Sequence, residues 1–120
     1  MSDLEKGLAA FYDDDYTTAL SLLKPLADEG NAEAQCTIAN MYHLGLGVER
    51  NILEAIEWYV KSSERGYGVA SNNLGGIYLT GDEGVRADRT EADKWFQKAR
   101  DQGFLHTPLT SDYLKLTGVA

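Results

Sequence analysis

The feature that most constrains this chain is an internal sequence repeat. At an offset of 36 residues two copies match as follows: Ala34 with Ala70, Ile38 with Leu74, Ala39 with Gly75, Tyr42 with Tyr78 and Gly45 with Gly81. After one inserted residue the offset becomes 37 and the matches continue: Gly47 with Gly84, Val48 with Val85, Ala55 with Ala92, Trp58 with Trp95, Tyr59 with Phe96 and Gly66 with Gly103. A repeat of this length indicates stacked supersecondary units that bury their apolar faces only against their neighbours.

An abbreviated first copy precedes these two. Its second half matches the next copy at an offset of 36: Asp15 with Asn51, Ala19 with Ala55, Leu20 with Ile56, Leu23 with Tyr59 and Gly30 with Gly66. Its first half matches at an offset of 30, which sets Leu8 on Ile38 and Tyr12 on Tyr42 and requires a loop shorter by six residues. A register shifted by two residues, which puts Ala10 at the Tyr42 position, is the alternative.

Each copy is predicted to form two helices, because its apolar residues recur at spacings of three and four. In the second copy the two stripes are Ala34, Ile38, Met41 and Tyr42, then Ile52, Ala55, Ile56, Tyr59 and Val60. Helix N-caps are expected at Asp15, Asn51 and Asp88, with capping boxes at Asn51–Glu54, Asp88–Glu91 and Ser2–Glu5. Gly30, Gly66 and Gly103 fit left-handed helix ends, and Gly45 and Gly47 are expected to end the first helix of repeat 2 and turn the chain. Pro25 falls inside a helix and is expected to bend or shorten it.

The predicted fold class is all-α, an α-solenoid of antiparallel helix pairs. We expect one repeat domain spanning residues 1–120, divided into repeat 1 at 1–30, repeat 2 at 31–66, repeat 3 at 67–103 and a C-terminal cap at 104–120. In the cap, Thr107 and Pro108 are typical of a helix start, and Leu109, Tyr113 and Leu116 form an apolar stripe. This capping helix would cover the open end of the stack.

The composition excludes several classes of partner. The chain of 120 residues has 19 acidic and 11 basic side chains, a net charge of −8, so it lacks the basic surface that nucleic acid requires. The same charge disfavours an anionic membrane surface, and no apolar run is long enough to span a bilayer. Without a signal-like N-terminus and with Cys36 as its one cysteine, the protein is expected to stay in the cytoplasm.

With these residues in place, the chain resembles the Sel-one-like repeat family, a relative of the tetratricopeptide repeat. The resemblance rests on this pattern in the second copy, which the third repeats: Ala34, Ile38-Ala39, Tyr42, Gly45-Leu46-Gly47-Val48, Ala55, Trp58-Tyr59 and Gly66. The opening stretch is similar to the abbreviated first repeat common in bacterial members. The resemblance covers residues 3–103 and implies a right-handed superhelix that acts as an adaptor or scaffold for protein complexes.

No combination of residues predicts catalysis or a cofactor. Asp13, Asp14 and Asp15 lack the alternate spacing of a calcium loop and are better explained as a solvated turn that ends in a helix cap. Cys36 and His43 lie seven residues apart, roughly 10 Å along a helix, which is too far for direct proton transfer. We therefore predict no catalytic residue, no cofactor and no metal ligand, and the protein is not expected to be an enzyme.

Three other features have structural explanations. With His106 as the second and last histidine, a metal site built on imidazole and thiolate is not expected. The loop from Gly81 to Gly84 has no following lysine and is not a phosphate loop. Trp58 and Trp95 occupy the same repeat position and are expected in the core. His43, near a helix end, is expected to satisfy carbonyl groups there.

The partner-binding surface is predicted from geometry. In stacked helix pairs the first helices line a concave face, so residues opposite their apolar stripes point into it: Glu33, Cys36 or Thr37, Asn40 and His43 in repeat 2, and Val69, Asn72 or Asn73, Gly76 and Leu79 in repeat 3. The predicted contacts to a partner protein or peptide are Glu33, Thr37, Asn40, His43, Asn72 and Asn73. An ordinary solvated surface is the competing interpretation of these residues. The alternative function is a structural subunit that self-associates, and the protein is expected to be a monomer or a weak homo-oligomer.

Overall fold

The described part of the protein is a stack of helices joined by short loops. The computed structural model describes residues 1–104, which form six helices: α1 (Asp3–Tyr12), α2 (Tyr16–Asp28), α3 (Ala32–Leu44), α4 (Ile52–Glu64), α5 (Gly68–Thr80) and α6 (Arg89–Asp101). The helices pack in sequence order, with the closest contacts within the pairs α1–α2, α3–α4 and α5–α6. The predicted all-α solenoid of helix pairs is confirmed. The predicted capping helix and His106 lie beyond the described residues.

The predicted N-caps are confirmed by side-chain hydrogen bonds. In each case the backbone N–H of the residue three positions after the cap donates to the side chain of the cap. The bonds run from Thr18 to Asp15 at 3.2 Å, Glu54 to Asn51 at 3.1 Å, Glu91 to Asp88 at 3.0 Å and Glu5 to Ser2 at 3.1 Å. Ser2 and Glu5 also complete the reciprocal bond, from the Ser2 N–H to the Glu5 carboxylate at 3.1 Å. That full capping box is the one predicted at the start of the chain.

The capping boxes predicted at Asn51 and Asp88 are wrong in their reciprocal half. The backbone N–H of Asn51 donates to the Tyr42 carbonyl at 2.9 Å, and that of Asp88 donates to the Tyr78 carbonyl at 2.7 Å. Because each N–H is already satisfied by the preceding helix, it does not donate to the glutamate three residues later. The Glu91 carboxylate instead accepts from Trp95 Nε1 at 3.2 Å. The two backbone bonds fasten the first helix of each repeat to the start of the second.

The same bond decides the register of repeat 1. The backbone N–H of Asp15 donates to the Ala10 carbonyl at 2.9 Å, so Ala10 occupies the position of Tyr42. Gly7 agrees with this register, because a Cβ there would meet the Leu23 side chain at 2.6 Å. The offset of the first half is therefore 32 rather than 30, and its loop is four residues shorter than its counterpart.

Pro25 does not shorten its helix. Helix α2 has 13 residues, as many as α3, α4, α5 and α6, and it continues past Pro25 to Asp28. The carbonyl that proline cannot satisfy belongs to Ser21, which is exposed, so the missing hydrogen bond leaves no buried group unpaired. The expectation of a shortened helix is wrong for this reason.

Glutamine side chains join successive repeats. Gln35 donates from Nε2 to the Ala27 carbonyl at 3.0 Å, and Gln102 donates from Nε2 to the Ser63 carbonyl at 2.8 Å. Ala27 and Ser63 occupy equivalent repeat positions at the offset of 36. A glutamine side chain therefore donates to the backbone carbonyl of the same repeat position at both junctions. Ser71 adds a bond from Oγ to Gln102 Oε1 at 2.6 Å. Nothing in the repeat pattern predicted these bonds.

Two adjacent glycines of α5 provide a matched test of the packing. A Cβ on Gly75 would lie far inside van der Waals distance of the Phe96 ring, whereas one on Gly76 would meet no atom within 4 Å. Replacing glycine with alanine raises helix propensity by the same amount at both positions, so this contribution cancels when the two unfolding free energies are compared. We expect Gly75→Ala to be less stable than Gly76→Ala by about 1–3 kcal/mol, because only Gly75→Ala overpacks the core.

Urea unfolding of both variants measures this difference. Equal unfolding free energies would contradict the close contact between α5 and α6 at Gly75.

Candidate partner-binding cleft

A cleft of about 480 Å³ opens between α3 and α5. Its walls come from five elements: Asn40, His43 and Leu44 of α3, Tyr59 of α4, Asn72, Asn73, Gly76, Ile77, Leu79 and Thr80 of α5, Asp82 of the following loop, and Phe96 of α6. The volume lies within the range of sites that hold a small ligand or a few side chains of a partner.

One wall is a hydrogen-bonded group centred on Tyr59. Its hydroxyl donates to Asn40 Oδ1 at 2.5 Å, and His43 Nδ1 lies 3.1 Å from the same hydroxyl oxygen. Since the tyrosine proton goes to Asn40, His43 acts as the donor and carries its proton on Nδ1. Asn73 extends the group with a longer contact from Nδ2 to Asn40 Oδ1 at 3.4 Å. Burial raises the pKa of Tyr59, so the hydroxyl keeps its proton.

An ion pair closes one end of the cleft. Arg50 Nη2 lies 2.6 Å from Asp82 Oδ2, and Arg50 Nε donates to the His43 carbonyl at 2.9 Å. The hydrogen bond from Arg50 lowers the pKa of Asp82. Burial, followed by the charge of Arg50, lowers the pKa of His43, while Asp82 opposes the shift. At neutral pH the imidazole is therefore uncharged and the carboxylate is paired.

The opposite wall has the same repeat positions but different chemistry. The equivalences are Gly76 for Asn40, Leu79 for His43 and Phe96 for Tyr59. In repeat 3 the phenyl ring of Phe96 thus replaces the phenol of Tyr59. The amide of Asn40 is replaced by a hydrogen atom at Gly76, and the imidazole of His43 is replaced by the isobutyl group of Leu79. At these three positions the cleft has hydrogen-bonded polar groups on the repeat 2 side and apolar groups on the repeat 3 side. Asn72, Asn73 and Thr80 of α5 add polar groups to the repeat 3 side.

Four of the six predicted binding residues line this cleft, namely Asn40, His43, Asn72 and Asn73. Glu33 lies outside it. Thr37 is wrong as a contact residue, because it is 7% exposed and its hydroxyl donates to the Glu33 carbonyl at 2.9 Å. The prediction assumed that α3 buries one face, whereas neighbouring helices cover more than one.

The remaining candidates have structural roles. Cys36 is buried, and burial together with nearby Glu33 raises the pKa of its thiol to about 12, so it stays protonated. The expectation that His43 satisfies helix-end carbonyls is wrong, since its ring bonds to Tyr59 and Arg50 takes the carbonyl. Trp58 is 5% exposed, as expected of a core residue.

The described residues offer no arrangement of metal ligands. Among residues 1–104, no group of three or more histidine, cysteine or carboxylate side chains could hold an ion. In the acidic turn, Asp15 caps α2 and Asp14 accepts a bond from the Tyr16 hydroxyl at 2.9 Å. Within the same range, every helix is too short or too polar to cross a bilayer.

Tyr59 is one of six residues of the cleft that sequence reasoning missed; the others are Leu44, Ile77, Thr80, Asp82 and Phe96. Tyr59 belongs to a second helix and to an apolar stripe, so the geometric rule for first helices did not reach it. A signal was present in the repeat itself, since Tyr59 carries a hydroxyl where Phe96 has none. A buried tyrosine hydroxyl requires a partner, which points to the polar residues of the first helix.

The titration of His43 tests the electrostatics of the cleft. The pKa of His43 in the folded protein should lie below 6.5, and Arg50→Gln should raise it by removing a nearby positive charge. NMR titration of the ring protons measures both values. An unchanged pKa in Arg50→Gln would contradict the described contact.

The same shift predicts how stability depends on pH. Because the folded-state pKa of His43 lies below its unfolded value of 6.5, the unfolded chain binds the proton more tightly. Stability should therefore fall as the pH drops through 6.5 toward the folded-state pKa, and less steeply in His43→Gln. Urea midpoints across this window compare the two proteins, and parallel profiles would contradict the prediction.

Comparison with known proteins agrees with this architecture. The family model for the Sel1 repeat matches residues 32–67 and 68–104. Chitin synthase regulatory factor 3 of Schizosaccharomyces pombe is 34% identical over 100 residues, which are 82% of this chain and 11% of that protein. The chain thus spans a small part of that relative.

Two solved structures have the same fold. A Sel1 repeat protein from Oxalobacter formigenes superposes with a TM-score of 0.82 at 33% identity, over 96% of this chain and 47% of that one. A protective antigen of uropathogenic Escherichia coli with an SLR fold has a TM-score of 0.79 at 31% identity, over 84% of this chain and 22% of that one. Since the two family matches together cover more than half of the sequence, this chain belongs to the Sel1 repeat family.

Proposed function

We propose that this protein is an interaction adaptor that binds a segment of a partner protein in the cleft between α3 and α5. The carrying observation is the convergence of three asparagine side chains, Asn40, Asn72 and Asn73, on one open cleft. An amide offers both donors and an acceptor, which is the combination that an extended peptide backbone requires. Sel1 repeat proteins are typically protein-interaction adaptors, which supports the assignment.

Several properties favour binding over catalysis. The cleft holds a neutral imidazole and a paired carboxylate, and neither is arranged to activate a nucleophile. The buried thiol of Cys36 keeps its proton. The yeast relative is named as a regulatory factor, and a regulatory role by recruitment fits an adaptor. We therefore propose action without a cofactor, on a protein partner, in the cytoplasm.

The charge of the chain narrows the partner further. A net charge of −8 disfavours nucleic acid and anionic membranes and favours association with neutral or basic protein surfaces. A short stack offers a short groove, so a single adaptor of this size is expected to bind as a monomer with modest affinity.

A pair of asparagine substitutions tests the proposal. Asn72→Ala together with Asn73→Ala should weaken binding about thirtyfold, because two hydrogen bonds of about 1 kcal/mol each are removed. Thr17→Ala together with Ser21→Ala is the matched control, since both residues are exposed on α2 and lie outside the cleft. Affinity capture from a lysate identifies the partner, and titration calorimetry with the purified partner measures each variant.

The outcomes separate the candidate functions. Loss of the partner by the double asparagine variant, with circular dichroism unchanged and the α2 control variant still binding, supports the adaptor. Equal binding by all three proteins would move the contact away from the cleft. Capture of this chain alone, with a dimer in light scattering, would favour the self-associating subunit instead.

A further inference from the structure

We infer that the cleft takes one apolar side chain, of leucine or phenylalanine size, from a basic segment of the partner, and that this side chain is seated over Gly76. The inference rests on the proposed function and specifies the partner chemistry of the same cleft.

Gly76 leaves an open space that its neighbour does not. A Cβ on Gly75 would collide with Phe96, so that glycine is required by helix packing. A Cβ on Gly76 would meet nothing within 4 Å, so packing does not require a glycine there. A helix interior glycine costs about 1 kcal/mol relative to alanine. The cost is explained if the missing side chain makes room for a ligand group.

Four apolar residues line the cleft together with Gly76, namely Leu44, Ile77, Leu79 and Phe96. Leu79 lies one helical turn from Gly76 on α5, as do the polar residues Asn72, Asn73 and Thr80. Leu44 is 62% exposed and provides apolar surface for a partner to cover. The cleft of about 480 Å³ is large enough for one aromatic ring and its flanking backbone.

The polar groups of the cleft do not favour a charged side chain at its base. The hydroxyl of Tyr59 and the ring of His43 are bonded to each other, and Asn40 Oδ1 accepts the tyrosine proton. Asp82, the carboxylate among the described lining residues, is paired with Arg50 at 2.6 Å. A buried charge there would lack a free counter-charge, so an apolar group is the better occupant.

Charge complementarity specifies the flanking residues. The excess of 19 acidic over 11 basic side chains gives the surface a negative field that attracts lysine and arginine and repels acidic segments. The geometry therefore points to an apolar anchor between basic residues.

Defined peptides test the anchor without knowledge of the natural partner. The probe is acetyl-Lys-Lys-Phe-Lys-Lys-amide, compared with the same peptide carrying serine in place of phenylalanine and with a version flanked by glutamate. In NMR titrations of the full chain the phenylalanine peptide should bind in the millimolar range and shift the backbone amides of Gly76 and Leu79. The serine and glutamate peptides should bind at least tenfold more weakly, and added salt should weaken the lysine peptide.

Two leucine variants complete the experiment. Gly76→Leu fills the space and should reduce binding of the phenylalanine peptide at least tenfold, with the fold retained. Ser21→Leu adds the same side chain on the exposed face of α2 and should leave binding unchanged. Equal binding of the phenylalanine and serine peptides, no amide shift up to the solubility limit, or unaffected binding by Gly76→Leu would each overturn the inference.

Failure of the apolar anchor and failure of the proposed function give different outcomes in these variants. If the natural partner is lost by the double asparagine variant but retained by Gly76→Leu, the adaptor stands and the apolar anchor is wrong. If both variants retain the partner, both proposals fail.

Discussion

The stack depends on a close contact in which a small residue of the first helix lies against a large side chain of the second. Gly7 lies against Leu23 in repeat 1, and Gly75 lies against Phe96 in repeat 3. A larger first-helix residue would push the pair apart, since interiors are packed too densely to absorb an added group. The backbone bond from each second-helix N-cap to the first helix then holds the pair in one register.

This contact leaves the concave positions free to vary. The polar wall of Asn40, His43 and Tyr59 and its apolar counterpart in repeat 3 are built on the same backbone arrangement. What changes between the repeats is which groups satisfy one another. In repeat 2 the polar side chains bond within the wall, and in repeat 3 the loss of the tyrosine hydroxyl removes the need for polar partners.

The repeat, the helix pairs and the N-caps were predictable because each rests on local spacing. The register of repeat 1 was not, because Leu8 and Tyr12 match their counterparts in type at an offset that the Asp15–Ala10 backbone bond excludes. Side-chain identity records the average environment of a position, whereas register is set by backbone bonds that the sequence does not display. Leu8 is half-buried and Tyr12 is exposed, so their residue types were weak evidence for the register.

The candidate site was predictable in part for a related reason. The rule that binding residues lie opposite the apolar stripe works for a helix with one buried face, and it found Asn40, Asn72 and Asn73. It failed at Thr37 because α3 packs against both α2 and α4. The rule also missed Tyr59, whose ring is core while its hydroxyl belongs to the cleft.

On the proposed function, specificity rests on few positions. Exchanging the groups at the positions of Gly76 and Leu79 changes the chemistry of a wall, while the contact of Gly75 with Phe96 maintains the helix spacing. A partner must then bury the apolar residues of the cleft without leaving its polar side chains buried and without hydrogen bonds. Because the Tyr59 hydroxyl and Asn40 Oδ1 are already bonded to each other, burying these two groups costs little unless the partner disrupts that bond. An apolar group can therefore lie beside them without the desolvation cost that unpaired groups would impose.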